Sequence, residues 1–254
     1  MATGVQTQVG RFVWHGCNTT DVEKATSFYT QLFGWELEVY KPGEIDYPMI
    51  SVGGNTHGGF SALEAGSGTP SHWLGHVWVD DVDAAVEKAK ANGGKVLMEA
   101  MDMPEVGRFA VVADSAGAAL SLYKPEGEGP ISEGVFVWDE LVTSDVEAAK
   151  SFYTKVIGWT TTDMDMGEAG VYTLVRSGDV DRAGILKKPP GMEAAPDAWL
   201  TYIGADDIDA TADRATQLGG KVFQPPFDVE GVGRLAVLAD PNGAVFGIFH
   251  PTAR

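Results

Sequence analysis

The 254-residue chain carries a single cysteine, Cys17. No disulfide can form within it, which suits a reducing compartment or indifference to redox state. Positive charge is scarce: 18 Lys and Arg stand against 36 Asp and Glu, for a formal charge of −18. Such a field repels phosphate backbones and anionic lipid, so no nucleic acid and no membrane is expected among its partners. No run approaches the roughly 18 consecutive apolar residues of a membrane span. The opening MATGVQTQVG lacks the basic and apolar regions of an export signal, and a cytoplasmic location is expected. What remains is a globular composition, 44% hydrophobic and 21% charged, with 32 glycines spread out as turn residues.

The chain is long enough for two domains of ordinary size, and an internal repeat supplies them. TTDVEKATSFYTQLFGW (19–35) returns as TSDVEAAKSFYTKVIGW (143–159), with ten of fifteen positions from Asp21 and Asp145 onward identical. VGRFAVVADSAGAALSLYKP (106–125) returns as VGRLAVLADPNGAVFGIFHP (232–251), and HWLGHVWVDDVDAA (72–85) answers AWLTYIGADDIDAT (198–211). The expected domains are 1–125 and 126–254, joined through KPEGEGPISEG (124–134), rich in Pro, Gly and Glu. Each is doubled again in pattern. A short apolar strand runs into Asp-Val and an amphipathic helix, with Val22, Ala25, Tyr29 and Leu32 on one face, and then into three short strands. Thr20-x-x-Glu23 and Ser144-x-x-Glu147 read as capping boxes. Gly34 and Gly158 stand where a helix ends in a left-handed residue. The fold class is α+β: four βαβββ modules forming two tandem domains.

DVEKATSFYTQLFGW, VDDVDAAVEKAKANGGKV and GRFAVVADSAGAALSLYKP, in that order and twice over, resemble the vicinal oxygen chelate superfamily of glyoxalases, bleomycin-resistance proteins and extradiol dioxygenases. Within it, the two-domain glyoxalase-like antigens are the nearest type. The resemblance implies that each sheet curls into a trough and that the modules pair as an internal pseudo-dimer, with the oligomeric state open. In metal-using members it also implies four slots filled by His or Glu. Here those slots align with Trp14 and Trp138, with Leu74 and Leu200, with Ser121 and Gly247, and with Gly59/Ser61 and Gly184/Leu186. That set lacks the imidazole and carboxylate donors a divalent ion needs. No metal and no cofactor is expected, which argues against glyoxalase I and extradiol chemistry.

Strand alternation sorts the remaining candidates. His15 and Cys17 fall on the parity facing away from the trough, opposite Asp139 and Leu141 of the other repeat. Cys17 then reads as a small buried hydrophobe and His15 as a polar residue reaching solvent or a capping partner. His76 shares the trough parity and either orients a ligand, moves a proton or is a hydrogen-bonded core histidine. Glu140, where the first repeat has Gly16, is either a carboxylate in an apolar cup or a salt-bridged residue at its mouth. Arg108 and Arg234 recur at one repeat position and read as partners of Asp114 and Asp240, or of Asp102 and Asp228. The glycines of VGGNTHGG and GVGR are turn residues, without phosphate-loop spacing.

The expected ligand-binding residues are Trp14, Asn18, Phe60, His76, Trp78, Ser121, Tyr123, Trp138, Glu140, Tyr202 and Phe249. Their aromatic walls and few polar groups suit a small, partly aromatic molecule. The alternative is a lyase or isomerase using His76 or Glu140, with a divalent-metal site rebuilt around His76, His15 and His57. A third reading is a structural protein with filled troughs.

Overall fold

The computed structural model describes residues 8–41, 46–127, 129, 134–167 and 170–252. Residues 128 and 130–133 of the connecting segment, and residues 1–7 of the amino-terminal stretch, lie outside the described residues. The first repeat runs β1 (Phe12–Thr19), α1 (Val22–Phe33), β2 (Glu36–Tyr40), β3 (Tyr47–Val52) and β4 (Asn55–Ala62). It continues with β5 (His72–Trp78), α2 (Val82–Ala91), β6 (Lys95–Met103), β7 (Gly107–Ala113) and β8 (Ala119–Pro125). The second runs β9 (Phe136–Thr143), α3 (Val146–Val156), β10 (Thr160–Asp165), β11 (Val171–Ser177) and β12 (Val180–Lys187). It ends with β13 (Ala198–Gly204), α4 (Ile208–Gln217), β14 (Lys221–Val229), β15 (Gly233–Ala239) and β16 (Val245–Pro251). Four βαβββ modules form, as the repeat predicts.

Each helix starts on an aspartate rather than on the expected Thr20 or Ser144. Asp21 accepts from the Lys24 amide, Asp81 from Ala84, Asp145 from Ala148 and Asp207 from Ala210. The hydroxyls one residue earlier are taken by tertiary partners: Thr20 Oγ1 lies 3.3 Å from Ser71 Oγ, and Ser144 Oγ donates to Asp197 at 2.7 Å. The carboxylate is the better cap at a positive helix end. Gly34 ends α1 in the left-handed region at φ 70°, as the spacing predicts.

The strands pair in two eight-stranded sheets, ordered β2-β3-β4-β1-β5-β8-β7-β6 and β10-β11-β12-β9-β13-β16-β15-β14. The chain also groups into two compact units. One gathers the described residues of 1–13, 75–130 and 138–199; the other gathers those of 14–74, 131–137 and 200–254. Each unit therefore draws one module from each repeat. The core of the first packs α2 residues Val82, Ala85 and Val86 with Phe152, Tyr153 and Val156 of α3, and with Trp159 and Trp199. The core of the second packs Ala25, Phe28 and Tyr29 of α1 with Ile208, Ala212 and Ala215 of α4, and with Trp35 and Trp73. Trp35 and Trp159 are thus core residues, as their position after the first helix predicts.

A buried polar relay sits in each core. In the first unit Trp199 Nε1 donates to Tyr153 OH at 2.9 Å, and Tyr153 donates to Asp114 at 3.2 Å. The other Asp114 oxygen caps the turn amides of Ala116, Gly117 and Ala118. In the second unit Trp73 Nε1 donates to Tyr29 OH at 2.8 Å, with Asp240 beside it. Arg108 and Arg234 do not pair with these aspartates. Arg108 forks onto Asp83 and reaches Asp102; Arg234 does the same with Asp209 and Asp228.

Candidate functional site

The structure gives the expected metal slots an occupant that the sequence did not suggest. In the second unit Trp14 Nε1 donates to Tyr47 OH at 3.1 Å. The Tyr47 ring lies over Gly59, where a Cβ would overlap it. Gly59 is the cross-strand neighbour of Gly16. The first unit repeats the device residue for residue: Trp138 Nε1 donates to Tyr172 OH at 2.8 Å, and the phenol covers Gly184. Here the cross-strand neighbour of Gly184 is Glu140, and Tyr172 is hydrogen-bonded to its carboxylate. Burial pushes the Tyr47 phenol up to about 12, the Trp14 bond opposing and Cys17 adding to it. Burial raises Tyr172 further, helped by the Glu140 charge.

The β5 half of the first repeat lies in the first unit. His76 pairs with Ser121 and Trp78 with Tyr123 across the parallel β5–β8 ladder. Val77 and Leu122, one step along each strand, enter the helix-side core, so His76, Trp78, Ser121 and Tyr123 share the opposite face. The half-buried His76 ring stands edge-on to Tyr123 at 6.3 Å and to Phe109 at 6.5 Å. Tyr123 OH donates to the Val106 carbonyl at 2.7 Å. Trp78 Nε1 and Ser121 Oγ are buried without a hydrogen-bond partner among the described residues, an arrangement that folded proteins rarely leave unexplained. In the second unit the Tyr202 ring lies over Gly247, its β16 neighbour, and Phe249 is half-buried two residues on. Asn18 Nδ2 is 3.4 Å from His72 Nε2.

Three expectations are corrected. Phe60 does not share the face of Trp14; it pairs with Cys17 in the β1–β4 ladder and packs in the core against Tyr29 and Trp73. The period-two alternation that puts Gly59 on the trough side requires this. Of the two readings of His15, solvent or a capping partner, the solvent one is excluded: the residue is 2% exposed and stacks on Phe136 at 4.1 Å. Asp139 is buried as well. Val13, which strand alternation puts on the face of His15 and Cys17, instead joins Trp78 and Tyr123 in a small apolar cluster. Cys17 behaves as its parity predicts. It is fully buried, and burial, with Asp240 second, holds its thiol well above its usual value.

No three His, Cys, Asp or Glu side chains among the described residues gather to hold a metal ion. The groups in the expected slots are indoles that only donate, leucines, glycines and two serines. Two of the slots are covered by phenol rings, so the residues present do not fit a divalent ion. An open cavity of about 370 Å³ in the second unit, lined by Phe33, Trp35, Glu36, Ser51, Gly134 and Ile203, contains none of the expected site residues. No helix among the described residues is long and apolar enough to cross a membrane.

The family model of the glyoxalase/bleomycin resistance protein/dioxygenase superfamily matches residues 11–122 and again 136–248. The chain belongs to that superfamily. Among curated members, a protein of Mycobacterium bovis named as a glyoxylase, CFP32, is 36% identical over 247 residues, covering 94% of this chain and 94% of the relative. The anthracycline biosynthesis protein DnrV of Streptomyces peucetius is 34% identical over 258 residues, covering 94% and 92%. Among solved members, the 2,3-dioxygenase LapB of Pseudomonas sp. KL28 has a TM-score of 0.65 at 12% identity, covering 96% of this chain and 94% of that one. The Mn(II)-bound glyoxalase of Novosphingobium aromaticivorans has a TM-score of 0.62 at 19% identity, covering 95% and 81%. These two likenesses concern the superfamily fold.

Proposed function

We propose that this superfamily member works without a metal and binds a small, partly aromatic molecule on the trough faces of its sheets. The observation that carries the proposal is the repeated Trp–Tyr–Gly device. At the positions where metal-using relatives are expected to carry ligands, Trp14 with Tyr47 over Gly59 and Trp138 with Tyr172 over Gly184 present aromatic surface instead of donors. Aromatic walls with a few polar groups suit a flat molecule held by stacking and oriented by one or two hydrogen bonds. Trp78 Nε1 and Ser121 Oγ beside His76, buried without a partner among the described residues, supply such orienting groups. Similarity to an anthracycline biosynthesis protein over nearly the whole chain is consistent with a planar aromatic ligand.

Metal analysis of protein purified without a histidine tag tests the first half of the proposal. The expected result is no stoichiometric divalent ion; one ion per chain, lost in His76→Ala, overturns it. Quenching of tryptophan fluorescence by a panel of planar aromatics tests the second half, and silence across the panel refutes it. A second reading, a proton-moving lyase or isomerase, draws on one observation, the Tyr172–Glu140 hydrogen bond. It predicts turnover that Glu140→Gln abolishes.

A further inference from the structure

Each repeat places a tryptophan just after its first helix, and the chain roofs only one of the two. Trp35 and Trp159 are equivalent. So are Gly10 and Gly134, each two residues before the phenylalanine that opens the first strand of its repeat. Both glycines take left-handed backbone, at φ 79° and 85°. In the first unit Gly10 lies on the indole: Trp159 Nε1 donates to the Gly10 carbonyl at 2.7 Å, and a Cβ on Gly10 would overlap the ring. In the second unit a Cβ on Gly134 would meet nothing within 4 Å. Trp35 is held instead by ring contacts to Tyr29, Phe33 and Phe136. No acceptor for its Nε1 occurs among the described residues, and the atom is not sealed in the core as Trp78 Nε1 is. Trp35 and Gly134 both line the open cavity of about 370 Å³.

We infer that this cavity binds a small, uncharged amide, whose carbonyl accepts from Trp35 Nε1 as the Gly10 carbonyl accepts from Trp159 Nε1. The lining shares no residue with the trough faces, so the inference goes beyond the aromatic-ligand reading and does not depend on it. Three features set the ligand class. The volume stands at the low end for small-molecule sites, enough for one ring and an amide. Phe33, Val135 and Ile203 give an apolar wall for the hydrocarbon part. Glu36 is the sole ionisable side chain in the lining. Its carboxylate accepts an amide N–H, and it repels an anion, as does the chain's net charge of −18. A primary amide meets both polar groups, its oxygen accepting from the indole and its nitrogen donating to the carboxylate.

NMR of full-length protein labelled with 15N at tryptophan reads each indole N–H, with Trp35 assigned through its nuclear Overhauser contacts to Phe33. In ligand-free protein the Trp35 indole proton should exchange with solvent faster than that of Trp159. Cyclohexanecarboxamide, whose ring is not aromatic, should move the Trp35 signal downfield and saturate. Cyclohexanecarboxylate has the same shape and should bind about fivefold more weakly, a gap that Glu36→Gln narrows to within about twofold. Val52→Phe, at an exposed position of the lining, should remove the response while the seven indole signals stay dispersed. A Trp35 proton as slow to exchange as that of Trp159 overturns the inference, because the chain itself then fills the cavity. So does a Trp35 signal that about 20 mM amide leaves in place, an equal response to amide and carboxylate, or a response that Val52→Phe does not change. The Trp14 and Trp138 signals report the trough faces separately, so each of these failures leaves the aromatic-ligand reading standing.

Discussion

Substituting alanine for Gly184 puts a methyl group where the Tyr172 phenol lies. The backbone there is ordinary strand, so the substitution acts through the ring it displaces. Moving that ring breaks its bond from Trp138, about 1 kcal/mol, and its bond to the Glu140 carboxylate, about 1.5 kcal/mol or more. The gain from replacing glycine by alanine in the unfolded chain returns about 0.5 kcal/mol, leaving a net loss of about 2 kcal/mol. The same substitution at Gly59 displaces Tyr47, which has only the Trp14 bond to lose. Its net loss is about 0.5 kcal/mol by the same accounting. Urea unfolding followed by tryptophan fluorescence compares the two, with each midpoint read against the wild type. The midpoint shift for Gly184→Ala should be at least twice that for Gly59→Ala. Equal shifts, or a larger one at Gly59, would show that Glu140 does not hold Tyr172 and would refute the reasoning about the second repeat. A double variant, Gly184→Ala with Glu140→Gln, should cost less than the sum of its parts, since both act on one network.

Removing the hydroxyl in Tyr153→Phe takes away the partner of the Trp199 indole and of one Asp114 oxygen in the core, and should lower stability by about 2 kcal/mol in urea unfolding; a loss below about 0.5 kcal/mol would mean the relay is not a structural tie. Asp197 is buried, which alone raises a carboxyl, yet Lys188, Ser144 and Thr143 bring it down to about 2 from its usual 3.8. Its folded value is depressed, so its contribution is present above about pH 4 and is lost as pH falls toward 2; a pH titration of stability should show that loss in the wild type, while Asp197→Asn is less stable at neutral pH and flatter across the window. Burial raises Asp114 instead, so its neutral form is favoured and stability linked to it is greatest below the unfolded value and declines as pH rises through the folded one; Asp114→Asn should remove that slope. Cys17 should not react with a thiol reagent at pH 8 until the chain unfolds; stoichiometric labelling of the native protein would contradict its core position.

The repeat made the modules legible because helix periodicity, end glycines and the Asp-Val entry all recur at nearly fixed offsets. Local rules failed only where distant partners intervened. Thr20 and Ser144 satisfy the capping pattern, but Ser71 and Asp197, about fifty residues away, claim their hydroxyls and leave the caps to Asp21 and Asp145. Phe60 follows alternation once Gly59 is fixed on the trough side, so register and not aromatic character decides its face. Tyr47 and Tyr172 recur at corresponding places, as do Gly59 and Gly184, and that double recurrence is visible in the sequence. What it cannot reveal is that the ring reaches over to the neighbouring strand to lie on the glycine, because that depends on the register of β3 against β4 and of β11 against β12.

That geometry changes the meaning of a missing ligand set. Losing a metal donor from a slot leaves a hole that water or another ion can enter, and the simplest repair is a larger apolar residue. Here two residues and a glycine in each repeat fill the expected slot, joined by a hydrogen bond from indole to phenol. A plug meant only to fill space would gain nothing from that polar bond, since burying a hydroxyl costs more than burying a ring of the same size. In the first repeat the phenol proton has no acceptor among the described residues, and in the second the acceptor is a half-buried carboxylate. Polar groups held at that cost, and differing between two otherwise matched repeats, are what the proposed small-molecule reading calls for and what simple filling of the slot does not.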